Sequence, residues 1–420
     1  MIWIHVVFLT LILGTGAFFL YLDIMNLRYG ERRVREEEDR LREQFGVEDP
    51  EKLLKYQRVK TGFSQLQSGI MLAITLLVLY TGLFTRVVEW MESLTLGFTL
   101  RGTLFFVGLS VVGVFVSAPF SAFQTFVIEE IFDFNEQTAG LWFLDKLKGL
   151  ALTAVFASLL SAPILWILKN FPDYWWIGGW GLVVAFGLVM QVLYPRVIAP
   201  LFNDFEAVQE GELAEAIEEV FDRAGFSCSQ IFTMDASRRS SHSNAYFIGF
   251  GRTKRVVLFD TLIDQMEVPQ IQSILAHELA HWKKGHIWKN IARQAVRTGV
   301  VFYVLYLLLN SAWLYDMFWL PASAEYAALL VAGLWLSPIN KWLSPLENYF
   351  SIANEREADR FAVEVVGTGE HLIEGLYQLV GENLSNPYPH SLYALFHYTH
   401  PPIPQRVEAI EAASSTSSET

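Results

Sequence analysis

Long apolar segments, separated by shorter polar ones, dominate the chain. Seven of them are long and apolar enough to cross a hydrocarbon core of about 30 Å. They lie near residues 4–22, 66–85, 103–126, 149–169, 175–195, 292–313 and 326–346. The last segment carries Pro338, Asn340 and Lys341, so we expect its inner end to leave the membrane early or to line a cavity. The pattern predicts a mainly α-helical, polytopic membrane protein.

Charges in the polar segments indicate an orientation. Segment 24–65 and the long segment 196–291 are rich in lysine and arginine, whereas LYDMFWLPASAEY between spans six and seven has neither. Cationic loops are retained in the cytoplasm. We therefore expect the N-terminus outside, and segments 196–291 and 347–420 together on the cytoplasmic side.

These spans divide the chain into parts. Residues 30–60 alternate acids and bases at helical spacing, which predicts a solvated helix, and the low-complexity tail ASSTSSET is expected to be disordered. The predicted parts are five spans with a cytoplasmic loop at 24–65 (1–195), a catalytic segment (196–291), spans six and seven (292–346), a C-terminal catalytic segment (347–412) and the tail (413–420).

Segment 196–291 has the pattern of a small α+β unit. Leu213, Ile217 and Val220 recur at helical spacing in GELAEAIEEVFDRAGF. The runs QIFTM, NAYFIGF and KRVVLFD predict strands, and Gly-Arg-Thr between the last two predicts a hairpin. MEVPQIQSILAHELAHWKKGHI then predicts a helix with Pro269 near its start.

Composition narrows the chemistry. The chain has 420 residues, 52 % of them hydrophobic, and a net charge of −13, which argues against a nucleic-acid partner. Its single cysteine, Cys228, excludes an intramolecular disulfide and a multi-cysteine zinc site. No cation precedes the first apolar run, so we expect a retained span rather than a cleaved signal peptide.

The stretch HELAHWKKGH at 277–286 is the main candidate for chemistry. His277 and His281 are four residues apart and share a helix face, so both can reach one metal ion. Glu278 lies one step round the helix, where it can act as general base on the attacking water. This spacing predicts a zinc metallopeptidase rather than an amphipathic helix with surface histidines.

A catalytic zinc site needs a third protein ligand. His286 follows His281 by five residues, and position 284 is lysine, so the longer three-histidine motif fails and His286 is interpreted as structural or interfacial. The helix NEREADRFAVEVV offers Glu355 and Asp359 on one face, one to bind zinc and one to hold a ligand histidine. A solvated, charged helix start remains the alternative for this segment.

These motifs resemble those of the type I CAAX prenyl proteases, integral-membrane zinc metallopeptidases. HELAHW and EREAD match the family pattern H-E-x-x-H-W and E-x-x-A-D. FVIEEIFDFNEQT, IAPLFNDF, HSNAYFIGF, RVVLFDTLI and HPPIPQRV are also similar to family signatures, so the resemblance covers about residues 119 to 410.

The resemblance implies roles for particular residues. His277, His281 and Glu355 would bind one Zn²⁺ per chain, Glu278 would be the general base, and Asp359 its catalytic partner or a support for the ligands. In HPPIPQR, His400 would lie near the substrate or oxyanion and Arg406 would anchor the carboxylates beside zinc, although HPP read alone indicates only a turn. Asn244 and Ala245 would belong to an edge strand that binds the substrate peptide, although a hairpin start explains Asn244 equally well.

The resemblance also implies an architecture and a substrate. About seven transmembrane helices would enclose a chamber. A small cytoplasmic α+β zinc metallopeptidase domain would carry the active site, which would face this chamber. The substrate would be a peptide or a lipidated protein cut near the C-terminus of a prenylated CAAX sequence, and the lipid bilayer would be the other partner. A monomer is compatible with the sequence, which does not set the oligomeric state.

Two other functions stay open on the sequence. One is a quality-control protease for membrane proteins, with the same zinc chemistry and no prenyl requirement. The other is a channel or chaperone that keeps a relict zinc site. In each case the chain would be a multi-pass protein of a bacterial inner membrane or, in a eukaryote, of an ER-type membrane.

Overall fold

A computed structural model describes residues 1–208, 211–226, 230–248 and 255–417, and most of them are helical. Within these ranges, six helices are long and apolar enough to cross a membrane. They run over Ile2–Glu36, Pro50–Tyr80, Phe98–Glu129, Ala139–Asn170, Trp175–Phe202 and His286–Leu309. The prediction of a mainly α-helical, polytopic membrane protein is confirmed.

The seventh predicted span differs from these six. Glu325–Trp342 is a helix of 18 residues with Pro338 inside it and with Glu325, Asn340 and Lys341 at its polar ends. Six of its residues, Tyr326 and Val331 among them, are buried, although Ile339 and Trp342 near its end are exposed. In the six spans, only 6–17 % of the residues in the most apolar 18-residue stretch are buried. Because its ends are polar, length and composition do not decide that it crosses the bilayer, and the count of seven stays a prediction.

The N-terminal half of the chain contains eight helices among the described residues, with π-helical segments at Gln124–Glu129 and Tyr194–Ile198. They are α1 (Ile2–Glu36), α2 (Glu38–Glu43), α3 (Pro50–Tyr80), α4 (Leu83–Ser93), α5 (Phe98–Phe123), α6 (Ala139–Asn170), α7 (Trp175–Leu193) and α8 (Ala199–Phe202). At 1.5 Å per residue, α1 is about 52 Å long and extends well beyond a bilayer core.

A four-stranded sheet follows, with strand order β1-β2-β4-β3. The strands are β1 (Phe205–Ala207), β2 (Gln230–Met234), β3 (Ala245–Ile248) and β4 (Arg255–Phe259). β4 pairs parallel to β2 and antiparallel to β3, with Ala245 opposite Leu258. The three predicted strands are confirmed and β1 was missed, while the predicted Gly-Arg-Thr turn lies outside the described residues.

The remaining helices complete the domain and the membrane bundle. They are α9 (Glu212–Arg223), α10 (Asp260–Gln265), α11 (Val268–Lys283), α12 (His286–Leu309), α13 (Ala312–Asp316), α14 (Glu325–Trp342), α15 (Ser344–Val366), α16 (Glu370–Glu382), α17 (Ser391–His397) and α18 (Ile403–Ser417). α11 begins with a capping box formed by Glu267 and Gln270, with Pro269 in its first turn. Its buried face packs against α9, α15 and α16 in one hydrophobic core.

Two expectations about polar segments need correction. Residues 30–60 form parts of three helices, α1, α2 and α3, with a break at residue 37 and a loop at 44–49. They are not simply solvated, because Leu41, Phe45 and Tyr56 are buried in a core that also contains Val380 of α16. The tail is not wholly disordered, because α18 continues to Ser417. The helix continues through alanines that favour it, and the Ser414 hydroxyl donates to the carbonyl of buried Ile410.

The contact between the N-terminal segment and α16 can be tested by adding one methyl group. A Cβ at Gly381 would lie 2.6 Å from the backbone oxygen of Phe45, so Gly381→Ala must displace backbone. We expect a loss of about 1–3 kcal/mol, measured as a lower melting temperature of the detergent-solubilised protein. Gly62→Ala is the control, because no described atom outside its own stretch of helix lies within 4 Å of that Cβ, and alanine favours the helix. Equal melting temperatures for the two variants would contradict the contact.

Candidate metal centre

Helices α11 and α15 bring three potential metal ligands together. The Nε2 atoms of His277 and His281 are 3.4 Å apart. The two carboxylate oxygens of Glu355 face them separately: His277 Nε2 lies 3.3 Å from Oε2, and His281 Nε2 lies 3.3 Å from Oε1. All three ligand atoms lie within 4.8 Å of one another. The structure thus joins the two segments that the sequence separates by more than seventy residues.

The surroundings of Glu355 fit a bound cation. Glu355 is 4 % exposed, and its Oε2 atom accepts no hydrogen bond from the described residues, although the Nε2 atoms of His277 and His400 lie 3.3 and 3.4 Å away. A buried carboxylate oxygen without a partner is costly. A divalent cation between the two imidazoles and the carboxylate would compensate this oxygen, and nitrogen and oxygen ligands of this kind suit a transition metal.

A hydrogen-bonded arm holds His277 from behind. Its Nδ1 atom lies 2.8 Å from Asp359 Oδ1, and Arg406 Nε donates to Asp359 Oδ2 over 3.0 Å. Asp359 and Arg406 are both buried. Burial alone would raise the pKa of Asp359, but the hydrogen bond from His277 and the charge of Arg406 lower it well below its usual range. Asp359 therefore stays ionised and fixes the imidazole with Nε2 toward the metal centre.

A second arm, which sequence reasoning missed, lies behind His281. Its Nδ1 atom is 3.0 Å from Nδ1 of His286, and the Nε2 atom of His286 is 2.9 Å from Glu357 Oε2. His286 is 1 % exposed and is the first residue of α12, after Gly285 in the left-handed conformation. The failed three-histidine spacing excluded His286 as a ligand but carried no information about this contact.

Two further predicted residues border the centre. His400 Nε2 lies 3.4 Å from Glu355 Oε2, with more than half of its side chain exposed. Glu278 is partly buried beside the ligands. Burial raises the pKa of the Glu278 carboxyl and the charge of Glu355 adds to this, while His277 opposes it. A carboxyl with a raised pKa is a stronger proton acceptor when ionised.

Asn244 and Ala245 lie where the last strand of the sheet begins. The side-chain oxygen of Asn244 accepts a hydrogen bond from Ala245 N over 2.8 Å. The backbone carbonyl of Asn244 accepts one from Phe259 N over 3.1 Å. β3 is the terminal strand in the described sheet and packs against α11. Asn244 is exposed and Ala245 is buried.

Two family models together match almost the whole chain. The family model described as CAAX prenyl protease N-terminal, five membrane helices, matches residues 31–204, and that of peptidase family M48 matches 207–414. A CAAX prenyl protease 1 homolog from Oryza sativa subsp. japonica is 36 % identical over 82 % of this chain and 83 % of the relative. A probable CAAX prenyl protease 1 from Schizosaccharomyces pombe is 33 % identical over 86 % and 79 %.

A solved structure shares the whole architecture. The crystal structure of S. mikatae Ste24p matches with a TM-score of 0.86 and 27 % identity, over 96 % of this chain and 98 % of that one. The fold and the site together define a multi-pass integral membrane metalloendopeptidase. The chain belongs to the type I CAAX prenyl protease family within peptidase family M48, as its motifs predict.

The two histidines differ in their affinity for protons. Burial lowers the pKa of His277, but hydrogen bonds to Asp359 and Glu355 outweigh burial and raise the pKa to about 9. Burial and the neighbouring His277 lower the pKa of His281 to about 4. At neutral pH, without metal, His277 therefore carries the extra proton of an imidazolium, and His281 is neutral.

Metal binding should displace this proton. At pH 7.5, below the raised pKa of His277, we expect release of about one proton per metal ion bound. Affinity should then rise with pH and level off above about 9. Calorimetry of the metal-free protein in buffers of different ionisation enthalpy measures the released protons. An affinity that is constant between pH 6.5 and 8.5 would contradict the assignment.

Proposed function

We propose that the chain is a zinc-dependent endopeptidase that cuts prenylated CAAX proteins near their C-terminus. The observation that carries the chemistry is the convergence of His277, His281 and Glu355 beside Glu278. Two histidines and one glutamate form a known ligand set of catalytic zinc, with a fourth position left for water or substrate. Bound zinc would supply Lewis acidity, which makes water more acidic and polarises a peptide carbonyl.

The protein side chains have distinct tasks in this proposal. Glu278 takes the proton of the attacking water and returns it to the amine of the leaving peptide. His400 stabilises the negative charge that develops on the carbonyl oxygen. Asp359 and Arg406 hold His277 in position. Asn244 and Ala245 present the edge of β3, to which the substrate adds as a further strand through main-chain hydrogen bonds.

The position of the site relative to the membrane supports a lipidated substrate. α11, which carries both histidines, is followed after Lys284 and Gly285 by α12, one of the six helices able to cross a membrane. A prenylated C-terminus partitions into the bilayer, so an enzyme anchored there meets it without extracting the lipid. CAAX prenyl protease 1 relatives carry this substrate class in their names. The catalytic segments face the cytoplasm and the N-terminus lies outside, in keeping with the loop charges.

Glu278→Gln tests the catalytic role. The amide keeps the size of the side chain but cannot accept the proton, so turnover should fall by about 10²–10⁴-fold. Zinc content should stay at one per chain, measured by elemental analysis of the purified protein. Glu364→Gln, an exposed change on α15, is the matched control and should keep wild-type turnover. Turnover of Glu278→Gln within twofold of wild type would exclude Glu278 as the base.

A pair of peptides tests the substrate class. Two peptides with the same Cys-a-a-X end, one farnesylated and one not, are incubated with protein in detergent, with Glu278→Gln as the blank. We expect cleavage of the farnesylated peptide at least about tenfold faster, because its lipid adds apolar contact area. Equal rates would favour a membrane quality-control protease without a prenyl requirement. Binding of zinc without cleavage of either peptide would contradict the CAAX substrate class.

A further inference from the structure

We propose that His286 is a positioning residue for His281 and that, with Glu357, it forms a second support for the metal centre. The inference rests on the zinc site proposed above. It assigns a role to a histidine that is neither a ligand nor a base, and to a carboxylate outside the face of α15 that carries Glu355 and Asp359.

The direction of the hydrogen bonds follows from the ligand atom. The Nε2 atom of His281 points at His277 and Glu355, so it must offer a lone pair to the metal. The ring proton of neutral His281 is then on Nδ1, and it is donated over 3.0 Å to Nδ1 of His286. His286 therefore carries its own proton on Nε2, which donates over 2.9 Å to the Glu357 carboxylate.

Each member of this chain is consistent with its surroundings. His286 is 1 % exposed, and both of its ring nitrogens are satisfied by the two contacts, as a buried imidazole requires. Glu357 is partly exposed, and its carboxylate also lies 4.0 Å from the Lys284 ammonium and 3.6 Å from that of Lys289. The two lysines thus compensate the charge of Glu357 near the surface. In the interior, the acceptor for His281 is the neutral ring of His286.

In both ligand histidines a partner at Nδ1 leaves Nε2 free to face the metal. The partner of His277 is charged, whereas the partner of His281 is neutral. Asp359 gives His277 a carboxylate partner directly, whereas His286 places one imidazole between His281 and its carboxylate. Without an acceptor at Nδ1, the ring of His281 could move its proton to Nε2 and lose the lone pair toward the metal. Loss of such an outer partner typically weakens metal affinity 10–100-fold.

Substitutions of His286 separate the hydrogen bond from the volume of the ring. His286→Leu fills the site without an acceptor, whereas in His286→Asn the Oδ1 atom lies near the former Nδ1 and can still accept from His281. We expect zinc affinity, measured by competition with a chelator, to fall 10–100-fold in His286→Leu and to stay within about threefold of wild type in His286→Asn. The visible spectrum of the cobalt-loaded protein should change in His286→Leu alone. Glu364→Ala is the control on α15.

The outcomes distinguish this inference from the proposed function. His277→Ala removes a proposed ligand, so retention of wild-type affinity by that variant would refute the metal site itself. If His277→Ala loses the metal but His286→Leu keeps wild-type affinity and spectrum, the positioning role is wrong and the metal site stands. If His286→Leu does not fold, His286→Gln takes its place, because the longer glutamine side chain carries its amide oxygen away from the former Nδ1 position. Equal zinc affinity of His286→Gln and His286→Asn would then overturn the positioning role.

Discussion

The packing of α11 against α15 is the contact on which the metal centre depends. The two helices share a core in which Ala276 and Ala280 of α11 and Ala358 and Ala362 of α15 are all at most 1 % exposed. Short side chains allow two helix axes to approach closely. This approach brings the carboxylate of Glu355 within 3.3 Å of the imidazoles of both proposed ligands, His277 and His281. A larger residue at these positions would separate the proposed ligands, which lie on different helices.

Charge compensation is the second constraint on the site. Several ionisable groups are buried around one point, and an isolated buried charge is costly. Arg406, which reaches the site from α18 near the end of the chain, neutralises Asp359, and Asp359 in turn holds His277. The Oε2 atom of Glu355 accepts no hydrogen bond from the described residues and could therefore bind a cation. Asp359 thus has a charged partner within the protein, whereas a bound cation would compensate the charge of Glu355.

The junction of α11 and α12 links chemistry to the membrane. Gly285 adopts a left-handed conformation that side-chain-bearing residues rarely adopt, and it lets the catalytic helix turn directly into a candidate membrane helix. His286, the residue after this turn, contacts His281. The orientation of a proposed ligand is therefore coupled to the first turn of a helix that is long and apolar enough to cross a membrane.

The sequence by itself determined the features that depend on local periodicity. Apolar length predicted the spans, and the four-residue spacing of His277 and His281 placed both on one helix face, because these properties are set within a few turns. Helical spacing offered Glu355 and Asp359 as candidates, but resemblance to a family was needed to choose them over a solvated helix start and to add Arg406, since spacing along the chain carries no distance between separate helices. Only the tertiary structure decided the parallel pairing of β2 with β4, the burial of Phe45 and Tyr56 in a segment that looked solvated, and the contact of His286 with His281 and Glu357. Each of these joins residues from different elements, and a short stretch of sequence specifies which face an element buries but not which neighbour covers it.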